Sequence, residues 1–410
     1  MTFGLVGCRS CGEPSLVKVL SLGDMPLANG LLDARDLGSR EDRYPLELVF
    51  CPSCSLVQIL ETVPPAKLFG EYIYFSSYSD TMVDHARRLV EELVETRGLG
   101  QESLVVELAS NDGYLLQFYR KKGIPVLGVE PAKNIARVAR DERGIPTIVD
   151  YFGIALAGRL IAEGKRANVV HAHNVLAHVA DLAGFVTGMQ MILADDGIAV
   201  IEVPYVRDLV EGCEFDTIYH EHLCYFSITA LSTLFSRHGL SIQEVKRLPI
   251  HGGSLRLYVS HARRVGPSVS RALEEERQWG LDRLEYFHEF GDRAERLRDE
   301  ILSTLKTVKS RGHHIAGYGA AAKGTILLNY VGVDKTIIDF VVDRNPHKQG
   351  RYVPGVRLPI YAPERLLSEM PAYLLILAWN FADEIIHQQA EYQARGGHFI
   401  VPIPRVESFP

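Results

Sequence analysis

Two stretches of this chain concentrate side chains that can move protons. The first is Tyr219-His220-Glu221-His222-Leu223-Cys224-Tyr225-Phe226. The second is His171-Ala172-His173-Asn174-Val175-Leu176-Ala177-His178-Val179. Imidazole, carboxylate and phenol within four residues provide a base, a group to orient it and a hydrogen-bond donor. A catalytic metal on His220-Glu221-His222 is disfavoured, because H-E-H lacks the i, i+4 spacing of H-E-x-x-H. His171 and His173, taken singly, are expected to be satisfied core histidines. Ser254 in H-G-G-S-L is not the serine of a G-x-S-x-G elbow.

Upstream lies a stretch that can hold a nucleotide-like ligand, Leu104–Leu116, reading LVVELASNDGYLL. Leu104, Val105 and Val106 predict a buried parallel strand, with Glu107 at its end. Ser110, Asn111, Asp112 and Gly113 predict a polar turn, and Tyr114, Leu115 and Leu116 open a helix. This is the site at which a doubly wound sheet binds its ligand. Val126–Val129 predicts the next strand, with Glu130 placed to accept from ribose hydroxyls. The turn is not G-x-G-x-x-G. An E-L-x-x-x-x-G turn followed by an acid resembles class I methyltransferases that bind S-adenosylmethionine (SAM), where the turn holds a cationic sulfonium.

Four of the six cysteines fall as Cys8-x-x-Cys11 and Cys51-x-x-Cys54. With no secretory signal evident, this spacing reads as one zinc held by four thiolates, a closed structural site. Leu46–Phe50 predicts a strand that delivers Cys51, with Leu56–Leu60 as its hairpin partner.

The remaining elements position these groups. Residues 1–70 form the zinc module. Residues 71–245 alternate strand and helix, with strands at Asn168–Ala172 and Ile198–Val203, the latter after a turn at Ala194-Asp195-Asp196-Gly197. Between the two, Glu71–Asp80 carries three tyrosines and suits a lid over a sugar. The helix after it places Val83, Ala86, Leu89, Val90, Leu93 and Val94 on one face. Asp150, Tyr151 and Phe152 could flank an adenine ring. Residues 246–410 form a third unit opening at His251-Gly252-Gly253-Ser254-Leu255-Arg256. A charged stretch of about 40 residues, broken near Gly280 and Gly291, predicts a solvated connector. A second strand–turn–helix, Ile315–Gly324, follows, then strands at Ile337–Val342 and Leu374–Trp379. Lys323 in the Gly-rich turn, with Arg344, His347 and Lys348 in the next turn, suits an anionic diphosphate.

The C-x-x-C pair, E-L-A-S-N-D-G, N-V-L-A-H-V, Y-H-E-H-L-C-Y-F, H-G-G-S-L-R and G-Y-G-A-A-A-K-G occur in that order. Together they resemble the SAM-dependent sugar C-methyltransferases of antibiotic deoxysugar biosynthesis, over nearly the whole chain. The resemblance implies an α/β protein of three domains: a zinc-binding module, a Rossmann-like SAM domain and a C-terminal Rossmann-like domain that helps hold a nucleotide sugar. It implies a dTDP-linked 4-keto-deoxysugar, methylated beside the ketone, at C3 or in some members C5. His222 matches the base. Tyr219, Glu221, His178 and a tyrosine of the 72–78 cluster, taken as Tyr74, complete the catalytic set. The cofactor candidates are Glu107, Ser110, Asn111, Gly113, Glu130 and Asn174. The substrate candidates are Lys323, Arg344 and His347, and the zinc ligands are Cys8, Cys11, Cys51 and Cys54.

The totals set the excluded classes. The 410 residues suffice for about two or three domains. A net charge of -7 argues against nucleic acid as the partner. No run of 18 apolar residues exists, so no membrane span is expected. A cytoplasmic enzyme, monomeric or weakly dimeric, is the expectation. The competing reading is an NAD-dependent nucleotide-sugar dehydrogenase or epimerase, which the missing G-x-G-x-x-G disfavours.

Overall fold

The structure, a computed structural model, describes residues 7–69, 75–250, 252–262 and 264–409, without the side chains of Ala66 and Phe69. Three sheets organise it. The first is built from β1 (Val17–Pro26), β2 (Arg43–Phe50) and β3 (Val57–Ile59), antiparallel throughout. Leu46, Leu48 and Phe50 alternate inward along β2 and are buried. β2 delivers Cys51, and β3 returns as its hairpin partner, pairing Phe50 with Val57.

The helix Asp80–Arg97 follows, capped by Ser79, whose hydroxyl accepts from the Met82 amide. Its Ala86, Leu89, Val90 and Leu93 are buried and Val83 and Val94 half-buried, the face expected from their spacing. Then come β4 (Val105–Leu108), β5 (Val126–Val129), β6 (Thr147–Ile148), β7 (Ala167–His173) and β8 (Leu193–Pro204), all parallel. Here the turn expected at 194–197 is absent. Ala194-Asp195-Asp196-Gly197 lies inside β8 as a bulge, between the pairs Ala167–Leu193 and Val169–Ile198.

The chain then leaves this sheet. β9 (Cys224–Tyr225) adds to the first sheet, pairing with β3. The order there is β1-β2-β3-β9. β10 (Ser241–Leu248) and β11 (Ser254–Ser260) return to the second sheet as an antiparallel hairpin. Its full order is β10-β11-β8-β7-β4-β5-β6. β11 slots between β8 and β10, antiparallel to both. The central sheet therefore continues across position 246, to Ser260, where the sequence suggested that a third unit begins.

The stretch expected as a solvated connector is two helices, Pro267–Trp279 and Leu284–Ser310, separated by a left-handed Gly280. The second runs through Gly291 unbroken, and it is not solvated all round. Phe287, Phe290, Ala294, Ile301 and Leu305 form its buried face. Gly291 lies against β1, where an added Cβ would stand 2.7 Å from the Val19 carbonyl oxygen. The glycine that suggested a break marks a close helix–strand contact instead.

The third sheet comprises β12 (Ile315–Tyr318), β13 (Phe340–Val342), β14 (Ile360–Tyr361), β15 (Tyr373–Ile376), β16 (His398–Val401) and β17 (Glu407–Phe409). Its order is β14-β13-β12-β15-β16-β17, parallel except for the last strand. This is the Rossmann order with its switch point between β12 and β15. Among the described residues, no helix is long and apolar enough to cross a membrane.

Replacing Gly291 by Val forces the helix off β1. The Gly291→Val protein is expected to lose about 1–3 kcal/mol of stability by overpacking, read by denaturant unfolding. An unchanged midpoint would show that the contact is loose.

Candidate active site

The four thiols converge. Cys8 and Cys54 sulfurs are 3.5 Å apart, as are those of Cys11 and Cys51, and all four lie within 4.8 Å of one another. A tetrahedral Zn–S bond of ~2.3 Å sets neighbouring sulfurs ~3.8 Å apart, so the cluster has the dimensions of a zinc–thiolate site. With four thiolates the coordination sphere is closed to substrate.

The expected cofactor turn forms at the end of β4. Asn111 and Gly113 both have positive φ, 49° and 78°, which reverses the chain within a few residues. Glu130, buried at the end of β5, accepts from the amides of Asn111 at 3.0 Å and Ala132 at 2.9 Å. Each carboxylate oxygen keeps a second lone pair for a ribose hydroxyl. Glu107 is also buried, and burial followed by the charges of Asp112 and Glu130 pushes its carboxyl well above the usual range. Oxygens of Glu107, Asp112 and Ser110 are buried without a hydrogen-bond partner among the described residues. Burial, with the charge of Asp112 adding to it, raises both Glu107 and Glu130, and such a cluster suits a cation such as a sulfonium or an ammonium. Asn174, after β7, is also left-handed, with φ 52°. Its amide donates to the Glu202 carbonyl at 2.8 Å. Tyr151 is half-exposed beside this site, and Glu130 adds to the upward shift that burial gives its phenol. Phe152 packs edge-on against Phe185.

The histidine loop sits between the first two sheets. His222 Nδ1 is 3.0 Å from the Thr217 carbonyl, and Nε2 is 2.9 Å from the Tyr219 hydroxyl. A carbonyl can only accept, so Nδ1 carries the proton and Nε2 is left basic. The His178 ring packs edge-on at 4.9 Å from that of His222. Burial lowers His178 to about 4, against the pull of the Glu221 backbone, so it is neutral at pH 7. Burial raises Glu221 to about 7, opposed by Asn29, whose amide donates to it at 2.7 Å. His220 points away, with Nε2 donating to the Pro45 carbonyl at 3.1 Å. Four of the five catalytic candidates are thus together. Tyr74 lies outside the described residues. Of its cluster, Tyr78 is described, and it is 72% exposed.

The substrate candidates do not form one group. Lys323 is half-buried, donates to Asn380 at 2.8 Å and stands 4.2 Å over the Trp379 ring. Arg344 and His347 are exposed, and Arg344 lies 3.9 Å from Glu384. Lys348 is turned inward onto the Ala320 carbonyl and Asp343. Asp343 also accepts from the Ala320 amide, so that amide of the Gly-rich turn already has a partner.

Three family models tile the chain. A zinc binding domain matches residues 8–69, a methyltransferase domain 82–245, and a C-methyltransferase C-terminal domain 249–404. Over 400 residues the chain is 40% identical to the C-methyltransferase NovU of Streptomyces niveus, covering 97% of this chain and 95% of that one. The chain belongs to the SAM-dependent sugar C-methyltransferase family. A shorter match, 36% over 95 residues, joins it to a ubiquinone biosynthesis O-methyltransferase of Methylobacterium, covering 22% of this chain and 37% of that one. A solved structure of magnesium protoporphyrin IX methyltransferase from Synechocystis with bound SAM covers 48% of this chain and 89% of that one. The identity there is 13% and the TM-score 0.35.

Family membership makes SAM the cofactor and zinc the metal, and the residues present fit both groups. It also overturns the NAD-dependent alternative. Several polar contacts around the site carried no signal in the sequence. Ser77 donates to Asp112 and accepts from Arg143, which ties the end of the tyrosine segment to the cofactor turn. Asn29 reaches Glu221 from 192 residues away. Arg256, whose H-G-G-S-L-R motif suggested no role, donates to buried Glu202 at 2.6 Å.

Two outcomes are expected. Cys51→Ser should give protein without stoichiometric zinc and with a collapsed folding yield, measured by metal analysis and circular dichroism; a folded zinc-free variant would make the thiols dispensable. Glu107→Gln should weaken SAM binding by about tenfold or more in calorimetry, because a hydrogen-bond partner of a charged group is lost. An unchanged affinity would place the cofactor's charge elsewhere.

Proposed function

We propose that this enzyme methylates a dTDP-linked 4-keto-deoxysugar at C3, with His222 as the base. The observation that carries the reading is the pair of bonds on the His222 ring: Nδ1 donates to Thr217 and Nε2 accepts from Tyr219. In the neutral ring that arrangement puts the proton on Nδ1 and leaves the basic Nε2 beside a phenol. A carbon next to a ketone is a poor nucleophile until its proton leaves, and histidine is basic enough to take it near neutrality. Nε2 receives the C3 proton as the substrate displaces the Tyr219 hydroxyl. Tyr219 then turns its O–H to the ketone oxygen, where the enolate charge develops. Neutral His178 lines the same oxygen. Glu221, near its midpoint at pH 7, holds a sugar hydroxyl or amine.

SAM, when bound, supplies the electrophilic methyl group. Glu107, Ser110, Asn111, Gly113 and Asn174 shape its turn, and Glu130 takes the ribose hydroxyls. Arg344 and His347, on the exposed turn after β13, meet the diphosphate, with Lys323 deeper in the cleft. The order of events is set by positioning, since the enolate carbon and the methyl must be in line.

Proton NMR of a dTDP-4-keto-6-deoxysugar with enzyme in D2O, before and after SAM is added, tests this directly. The expected result is loss of the C3 proton signal, then a new methyl on that carbon. Exchange at C5 would move the reaction to that position. Neither exchange nor methylation across several 4-keto sugars would overturn the substrate assignment. His222→Asn should lose both signals while its SAM affinity stays within about twofold, the pattern of a residue used only in the chemical step.

A further inference from the structure

The turn Phe215–Thr217 supplies the carbonyl that orients His222, and that turn is gripped by the C-terminal unit. Asp216, fully buried, accepts the indole N–H of Trp379 at 2.8 Å. Its other oxygen has no hydrogen-bond partner among the described residues. Trp379 follows β15, and the contact spans 163 residues. Phe215 packs on Tyr330 with ring centres 5.1 Å apart. Thr217 is pinned within the turn, its amide and hydroxyl both donating to the Glu214 carbonyl, at 3.0 and 2.8 Å. The acceptor for His222 Nδ1 is therefore fixed from behind by groups of the third sheet and its helices.

Two acids and one amine face one another around this turn. Burial raises Glu214 to about 8 and Asp216 to about 6, with the Lys323 ammonium opposing both. Burial holds Lys323 below the usual ammonium range, with Asp216 and Glu214 opposing that shift.

We infer that Trp379 and Asp216 are positioning residues for His222, through which the C-terminal unit fixes the carbonyl that selects the tautomer of the base. If Thr217 shifts, Nδ1 loses its acceptor and the imidazole is free to rotate or to carry its proton on Nε2. A ring protonated at Nε2 cannot take a proton from carbon. The inference rests on His222 being the base.

The test is Trp379→Phe, which keeps an aromatic ring near Lys323 and removes the indole N–H. Its kcat, counted per SAM-binding site, should fall about ten- to a hundredfold. Solvent exchange of the substrate's C–H should fall in proportion, while the sugar KM and SAM affinity move less than about twofold. A second pair of variants keeps the test independent of folding yield. Asp216→Asn, still able to accept from Trp379, should retain most of the exchange rate, and Asp216→Leu should lose it. Unchanged kcat and exchange in Trp379→Phe would overturn the inference, as would a raised KM at constant kcat, which would make Trp379 a substrate contact. A His222→Asn enzyme that still exchanges the C–H would overturn the base assignment instead, so the two failures are told apart.

Discussion

Pairing between β3 and β9 holds the histidine loop in place. β3 belongs to the sheet in which the cysteine cluster ties the chain before β1 to the β2–β3 turn, and β9 follows directly on Tyr219-His220-Glu221-His222-Leu223. The Ile59 amide donates to the Leu223 carbonyl at 3.0 Å, and the Leu223 amide to Ala177 at 2.7 Å. From the same module, Pro45 receives His220 and Asn29 reaches Glu221. The loop of five residues is thus bonded both to the zinc module and to Ala177 of the central unit. A structural zinc of this kind contributes on the order of 10 kcal/mol to folding its module. The four-thiolate site is closed to substrate, and its module supplies several of the bonds that hold the loop. This is the general arrangement of a functional loop on a rigid support.

Electrostatics divide the second sheet into two regions of opposite character. Glu107 on β4 and Glu202 on β8 are equally buried. Burial and neighbouring acids push Glu107 well up. Burial acts on Glu202 too, but His173, His85 and Arg256 hold it well below the usual range. The partners of Glu202 form a directed chain. Tyr119 bonds His171 at 3.0 Å, His171 bonds His173 at 2.8 Å, and His173 meets Glu202 at 3.0 Å. The carboxylate can only accept, so each ring donates towards it from Nδ1 and accepts at Nε2. This network is satisfied internally, as buried charge requires. On the Glu107 side one carboxyl oxygen has no hydrogen-bond partner among the described residues.

What the sequence disclosed followed the range of the interaction. The zinc spacing, the strand–turn–helix at Glu107–Leu116 and the hairpin β2–β3 are local patterns, and each appears where it was expected. β9 is two residues long, too short for any period, so its membership of the first sheet was invisible. The bulge at 194–197 carries the composition of a turn, and only the pairing of β7 with β8 shows that the strand runs through it. Gly291 was misread because a helix-breaking residue and a close-packing residue are the same residue. The acids beside Lys323 were invisible because Glu214 and Asp216, more than 100 positions away, leave no mark on its neighbourhood in the chain. The histidine loop was legible as chemistry; its supports were not, because they come from Asn29, Pro45, Thr217 and, through Asp216, Trp379.

Those supports come from all three units, and the chemistry proposed for His222 explains why. Removing a proton from carbon needs one nitrogen of the imidazole free and basic, and the other held. The held nitrogen faces Thr217, backed by the C-terminal unit. The following residues, Leu223 to Tyr225, are bonded to the zinc module. The cofactor turn belongs to the central sheet, and Ser77 and Arg143 tie the tyrosine segment to it. A ring fixed by one unit alone would move with that unit. The loop that carries it is bonded to groups of more than one unit, so on the role proposed for His222 the docking of the units sets the geometry in which a weak carbon acid is deprotonated beside a methyl donor.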